Sequence, residues 1–268
     1  MKKIASIFIL ILLASSFLSA DIYTKSVERV KAFELMGKKM PETLQMKDRW
    51  YGKNKYAEIG KEFSVIIDFD KEKMFLVLNE RKMYIEIPTD LSGSIFLEFI
   101  TLLSPKAAEA VKNIRITDAK ANLRSERKKI ANWDCTASEF EMVIVIPALN
   151  AMPKFKMKMW MTDDLPGEYE KYKETGEFFM ESLIGMLSMD EASQKELEKL
   201  ESVGGFQIAA DVTIEIFGSK IEIESQTLEV NEKPAPPGIY AVPKDYVKQD
   251  LESIKNQIKQ AQKTSRTH

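Results

Sequence analysis

Histidine is almost missing from this chain: the one copy, His268, is the last residue. The usual general base, the usual activator of a serine or cysteine nucleophile and the commonest zinc ligand go with it. A Ser-His-Asp or Cys-His site therefore has no internal histidine to be built on. Cysteine is as scarce. Cys135 stands alone, so no internal disulfide forms and the core holds without staples. A lone Cys in a patterned stretch reads as a small buried hydrophobe. A Gly-rich phosphate loop, a Cys/His metal cluster, an internal repeat and an Asn-x-Ser/Thr acceptor are all absent. Catalysis by carboxylates alone is what these absences leave, and its candidates have simpler readings. Glu139 and Glu141 share one strand face, as solvated charges do. Asp163-Asp164 precedes Leu165-Pro166-Gly167, a turn or cap. The sequence reads as a non-enzyme that needs no cofactor and no metal.

Long apolar runs are also scarce. The longest is Ile4 to Leu18, preceded by Lys2-Lys3 and followed by Ser19-Ala20 and Asp21. A charged start, an apolar stretch of about fifteen residues and a small-residue exit form the layout of a secretory signal peptide. The run is short of the roughly twenty residues of a spanning helix. Cleavage is expected between Ala20 and Asp21, and no Cys near the exit offers a lipid-attachment site. No second such run follows, so no transmembrane segment is expected after processing. Without Lys2 and Lys3 the formal charge moves from −2 to −4, which argues against nucleic acid as a partner. The expected location is the periplasm, with secretion as the lesser alternative.

What remains has an ordinary globular balance, 30% charged and 44% hydrophobic. Most of it alternates in period two. Phe155, Met157, Met159 and Met161 fall on one face of a strand, and Lys154, Lys156 and Lys158 on the other. Val212, Ile214 and Ile216, then Ile221 and Ile223, flank a Gly218-Ser219 hairpin turn. Further strands are expected near Ile22–Leu35, Thr43–Tyr51, Tyr56–Asp68, Lys73–Ile87, Ile114–Ile130, Asp134–Ile146 and Gln226–Val230. Helices are expected over 95–103 and, behind Ser104-Pro105, over 106–111. Another region spans Glu168–Ser202, with Asp190 as an N-cap and Gly204-Gly205 as a stop. Val247, Leu251, Ile254 and Ile258 recur at 4-3-4 spacing, the stripe of a C-terminal helix. The expected organisation is a signal peptide over 1–20, one domain over 21–246, and a C-terminal helix with a frayed tail over 247–268. Pro234–Pro237 reads as a turn before a last edge segment. The fold class is mainly β with helices (α+β), its long one-face-wet strands forming a strongly curved, partly open antiparallel sheet.

Three stretches carry a resemblance. The first holds Lys55-Tyr56-Ala57-Glu58, Ile66-Ile67-Asp68 and Lys82-Met83-Tyr84-Ile85-Glu86. The second holds Lys129-Ile130-Ala131-Asn132-Trp133-Asp134-Cys135 and then Met159-Trp160-Met161-Thr162. The third is Pro237-Gly238-Ile239-Tyr240-Ala241-Val242-Pro243-Lys244-Asp245-Tyr246. In this order, from about Asp21 to Lys248, the chain resembles the LolA-like (outer-membrane lipoprotein carrier-like) superfamily, and most of all a periplasmic branch known as a domain of unknown function. The resemblance implies a half-open antiparallel β-barrel closed by helices, with a concave apolar face for acyl chains or another hydrophobic partner. Two positions depart from the pattern. Relatives often carry Arg where Tyr56 stands and Gly where Asn132 stands. In the lipoprotein carrier an arginine ties lid to barrel, and Tyr56 supplies no such charge; Arg49 lies close by in sequence.

The candidate hydrophobic-ligand and lid residues are Trp50, Met157, Met159, Phe178, Phe179, Leu183, Met186 and Leu187. The Met-rich run from Phe178 to Met189 has two readings. It is a movable lid, because methionine adapts to ligands of varied shape, or it is permanent core, because an apolar run at helical spacing usually is. Trp50, Trp133 and Trp160 face the same choice between groove and packing. The expected function is an exported carrier or binding protein for a lipid, a lipoprotein or another hydrophobic ligand. The alternative is a non-enzymatic structural or interaction module of the envelope with a self-filled core.

Overall fold

A computed structural model of the chain describes residues 20–89, 113–165, 175–176, 178 and 188–250. Among the described residues fifteen strands form, in chain order. The first eight are β1 (Asp21–Val30), β2 (Phe33–Leu35), β3 (Lys38–Met40), β4 (Thr43–Gly52), β5 (Lys55–Ile59), β6 (Phe63–Asp68), β7 (Lys73–Leu78) and β8 (Met83–Pro88). Then come β9 (Arg115–Ile130), β10 (Trp133–Val145), β11 (Lys154–Thr162) and β12 (Ser188–Met189). Helix α1 (Glu191–Glu201) precedes β13 (Phe206–Ile216), β14 (Ser219–Lys233) and β15 (Val247–Gln249). Thirteen strands share one sheet in the order β12-β9-β10-β11-β13-β14-β1-β4-β5-β6-β7-β8-β15, and β2 pairs with β3 apart from it.

The sheet is large, mixed and not closed into a barrel: its order ends at β12 and at β15. Those two outer strands pair in parallel with β9 and β8, and every other pair in the sheet is antiparallel. The all-antiparallel expectation is corrected at the two edges. The β9 side is protected, as unpaired strands need. Over β9, the N–H groups of Ala119 and Ala121 donate to Ser193 Oγ (3.3 Å) and Glu196 Oε2 (3.0 Å) of α1. The helix itself starts where expected, Asp190 Oδ1 accepting from the Ser193 N–H at 2.7 Å.

Three predicted strands break in two. Ile22–Leu35 ends at Val30 and resumes as β2. Tyr56–Asp68 turns at Gly60, where a Cβ would lie 2.5 Å from the Phe63 carbonyl oxygen, so only glycine fits. Lys73–Ile87 turns before Lys82, which takes φ 50°. At the C-terminal end, Val247 opens a strand and not a helix: its N–H donates to the Lys82 carbonyl at 2.9 Å, and β8 supplies the ladder. The expected stripe beyond Asp250, the helices over 95–103 and 106–111, and the apolar run over 1–19 lie outside the described residues. Where the Gly218 turn was expected, Phe217 (φ 51°) and Gly218 (φ 76°) occupy the two left-handed positions of a hairpin between β13 and β14.

Candidate apolar face and its polar band

Register assigns the side chains to faces, because successive residues of a strand point to opposite sides. Met157 pairs with Phe140 and Val212, Val212 with Ile223, and Ile223 with Val30. In the neighbouring row Phe155 pairs with Met142 and Ile214, and Ile214 with Ile221. These side chains, half-buried except for the buried Phe140, form one apolar field. Leu197 and Leu200 of α1 pack into it beside Ile116, Ala119 and Phe140, with Met157 and Met159 at the margin. The register shift opposite Trp160 and Met161 falls on β13, where Ile208 is the extra residue, while β11 stays in register with β10 through Met161.

A second apolar field lies on the same face. Ile22 pairs with Tyr51, Tyr51 with Tyr56, and Tyr56 with Ile67. Phe178 and Leu165 pack on it, and Phe178 meets Phe69 edge-on at 5.6 Å between ring centres.

Between the two fields runs a polar band. It contains Ser26, Glu28, Lys47, Arg49, Glu58 and Thr227. Arg49 donates from Nε to Glu58 Oε2 at 2.7 Å and from a terminal nitrogen to Ser26 Oγ at 3.0 Å. Lys47 Nζ reaches Glu28 Oε2 at 3.0 Å and Glu58 Oε1 at 3.9 Å. The Tyr56 hydroxyl donates to Glu58 at 3.2 Å. Burial opposes the Arg49 charge, but Tyr56, Tyr51 and Glu58 around it hold the guanidinium protonated above its ordinary value. Burial also raises the phenols of Tyr51 and Tyr56, so both stay neutral in this setting. Two cations and two carboxylates are thus tied together beside apolar surface.

The candidates fall into three groups. Met157 and Met159 flank the first field and Phe178 the second. Trp50 is on the opposite face. There it joins Tyr23, Ala57, Ile66 and Val77, covered by Ile239, Tyr240, Val242 and Tyr246 of the chain's closing segment. Lys233 Nζ stands 3.4 Å above the Tyr23 ring and 5.2 Å from that of Trp50. The segment crosses β4 closely enough that a Cβ on Gly52 would come within 2.9 Å of the Tyr240 hydroxyl. Phe179, Leu183, Met186 and Leu187 lie outside the described residues. Ala20 is described, and Asp21 is the first residue of β1.

Two of the four candidate acid-base carboxylates are engaged in ion pairs. Glu141 pairs with Lys156 at 2.6 Å and Glu139 with Lys158 at 3.5 Å. Cys135 is buried, and burial raises its thiol, the opposite of an activated nucleophile. Among the described residues no group of three or more His, Cys, Asp or Glu could hold a metal ion, and no helix is long and apolar enough to cross a membrane. The band itself escaped sequence reading, although Arg49 and Glu58 in strand interiors, each in phase with an apolar face, were the available signal.

No family model matches the chain, and no curated protein matches it. Among solved structures, PNGF-II aligns over 89% of this chain at 12% identity and a TM-score of 0.35; the chain spans 33% of that protein's length. A DUF1329 family protein from Desulfovibrio piger aligns over 86% of this chain and 92% of its own, at 10% identity and a TM-score of 0.27. Neither likeness assigns this chain to a family or gives it an activity.

Proposed function

We propose that this is an exported, periplasmic carrier or binding protein with a LolA-like half-barrel, its ligand a lipid, the acyl chains of a lipoprotein or another hydrophobic molecule. The observation that carries the reading is the first apolar field: Phe155, Met157, Met159, Val212, Ile214 and Ile223 share one face and are half-buried, with Leu197 and Leu200 of α1 packed against part of it among the described residues. Each methylene buried there contributes about 0.8 kcal/mol, and methionine adapts to chains of different length and unsaturation. The export signal agrees with Asp21 opening β1 directly after the expected cleavage point.

Titration with a fluorescent long-chain fatty acid, read by emission and by native mass spectrometry, tests this. Saturable uptake that Met157→Lys weakens roughly tenfold is the expected result. Absence of uptake, together with absence of co-purifying lipid from the protein's own cells, would overturn it. A second reading has its own observation: Leu197 and Leu200 already fill part of the field. A self-filled envelope module is therefore the outcome if neither lipid nor fatty acid binds.

A further inference from the structure

The antiparallel order sends five turns to one end of the sheet. Two of them, 60–62 and 79–82 on the β15 side, carry Glu62 and Glu80 beside Lys61, Arg81 and Lys82, and the other three lie on adjacent strands. The β10–β11 turn, the β13–β14 turn and the β2–β3 tip between β1 and β4 all project there, because β10, β11, β13, β14, β1 and β4 are successive neighbours. Each of these three tips carries large apolar side chains in solvent. Met36 is 80% exposed and Met40 36% on the first tip, Leu149 47% and Met152 64% on the second, and Phe217 49% on the third. The turns at the opposite end, at Lys53-Asn54, Phe69–Glu72 and Ala131-Asn132, carry none of the exposed large hydrophobics.

Charge is sorted as well. The stretches Met36–Met40, Pro147–Pro153 and Phe217–Lys220 contain Lys38, Lys39 and Lys220 and no acid, in a chain of 41 acidic residues and net charge −2. Acids begin one step further in, at Glu34, Glu42, Glu215 and Glu222. Glu42 is taken up by Arg29, and Glu222 by Lys220 and Lys31. Among the described residues no acid lies in ion-pair contact with Lys38 or Lys39.

We propose that these three tips form a docking surface for a bilayer carrying anionic headgroups. Each tip is a separate turn on its own pair of strands. The tips can each press a Met, Leu or Phe into the boundary between headgroups and acyl chains, while Lys38 and Lys39 reach headgroup phosphates. The inference is independent of ligand uptake on the sheet face, since it uses none of the residues of the apolar fields.

Flotation with vesicles of phosphatidylcholine and phosphatidylglycerol in equal parts, against pure phosphatidylcholine, is the test. The full chain is expected to partition to the anionic vesicles. The double variant Met36→Asp/Phe217→Asp should lose roughly tenfold or more in partitioning. The charge-matched control Lys53→Gln/Asn132→Asp, at the opposite end, should retain it. A Phe217→Trp variant reads the tip directly: brominated lipid should quench its emission beyond the quenching seen in the parent chain. Matching thermal transitions establish that the variants fold. No partitioning of the parent, equal partitioning of parent and tip variant, or a tip tryptophan that brominated lipid leaves bright would each overturn the proposal.

Discussion

Arg49 illustrates how a single residue ties the two apolar fields together. Its guanidinium spans β4, β1 and β5, donating to Ser26 and Glu58. Removing one partner of such a half-buried pair leaves the other poorly solvated. Arg49→Met should therefore lower stability by about 2–3 kcal/mol, less than a fully buried pair would cost. The double variant Arg49→Met/Glu58→Gln should recover a good part of that. Urea unfolding of the four proteins measures the coupling, and additive losses would show that the pair is not coupled. The sequence makes the partners of Lys156 and Lys158 legible, because Glu141 and Glu139 follow the same alternation on a wet face. It hides Trp50. In β4 the neighbours Trp50 and Tyr51 are both apolar and both buried, one on each face, and where both faces are covered the period-two signal disappears.

At the level of elements, short pieces are held by a few named contacts. β15 is three residues long, and around its pairing with β8 stand Lys82–Asp245 (2.8 Å) and Lys248–Glu86 (2.6 Å). Hydrogen bonding from Lys248, then from Lys73, holds the Glu86 carboxyl below its usual value. A depressed folded pKa contributes stability that is present above the unfolded value and lost as pH falls through the folded one. Attachment of β15 should thus be constant from neutral pH down to about pH 5 and weaken below about pH 4. Hydrogen exchange at Val247 follows it, and Lys248→Ala should weaken attachment at neutral pH and flatten its pH dependence; an identical profile in the variant would remove Glu86 from the account. For α1, the cap at Asp190 was legible as an acidic residue before a helical stretch. Its role in covering β9 was not, because that depends on which strand ends up at the edge. Leu200→Ala should cost about 2–4 kcal/mol, by loss of burial and the cavity left against Phe140. Thermal unfolding checks this, and a loss below about half a kcal/mol would mean that α1 is not anchored there.

For the whole molecule, strand content and several turns follow from alternation, glycine and capping residues, whereas the order of strands does not. Nothing local in Asp21–Val30 announces that it will pair with β14, from Asp21 opposite Lys233 to Val30 opposite Ile223. That pairing closes loops of about two hundred residues, and loop closure over such separations is slow even where its free-energy cost grows only weakly with length. A chain ending after Gly205 would keep β4 to β11 but leave β1 with one open edge. Such a fragment should lack the cooperative transition of the full protein in urea, monitored by circular dichroism; a sharp transition of its own would mean that the two flanks of β1 fold separately. The placement of β1 has a vectorial consequence. A polypeptide delivered N-terminus first, whether from a ribosome or through a translocation pore, presents the strand for the middle of the sheet at the outset and its second neighbour more than a hundred and eighty residues later. Delivery order and zipping order are opposed, so the seam between β1 and β14 closes only when nearly the whole chain has arrived.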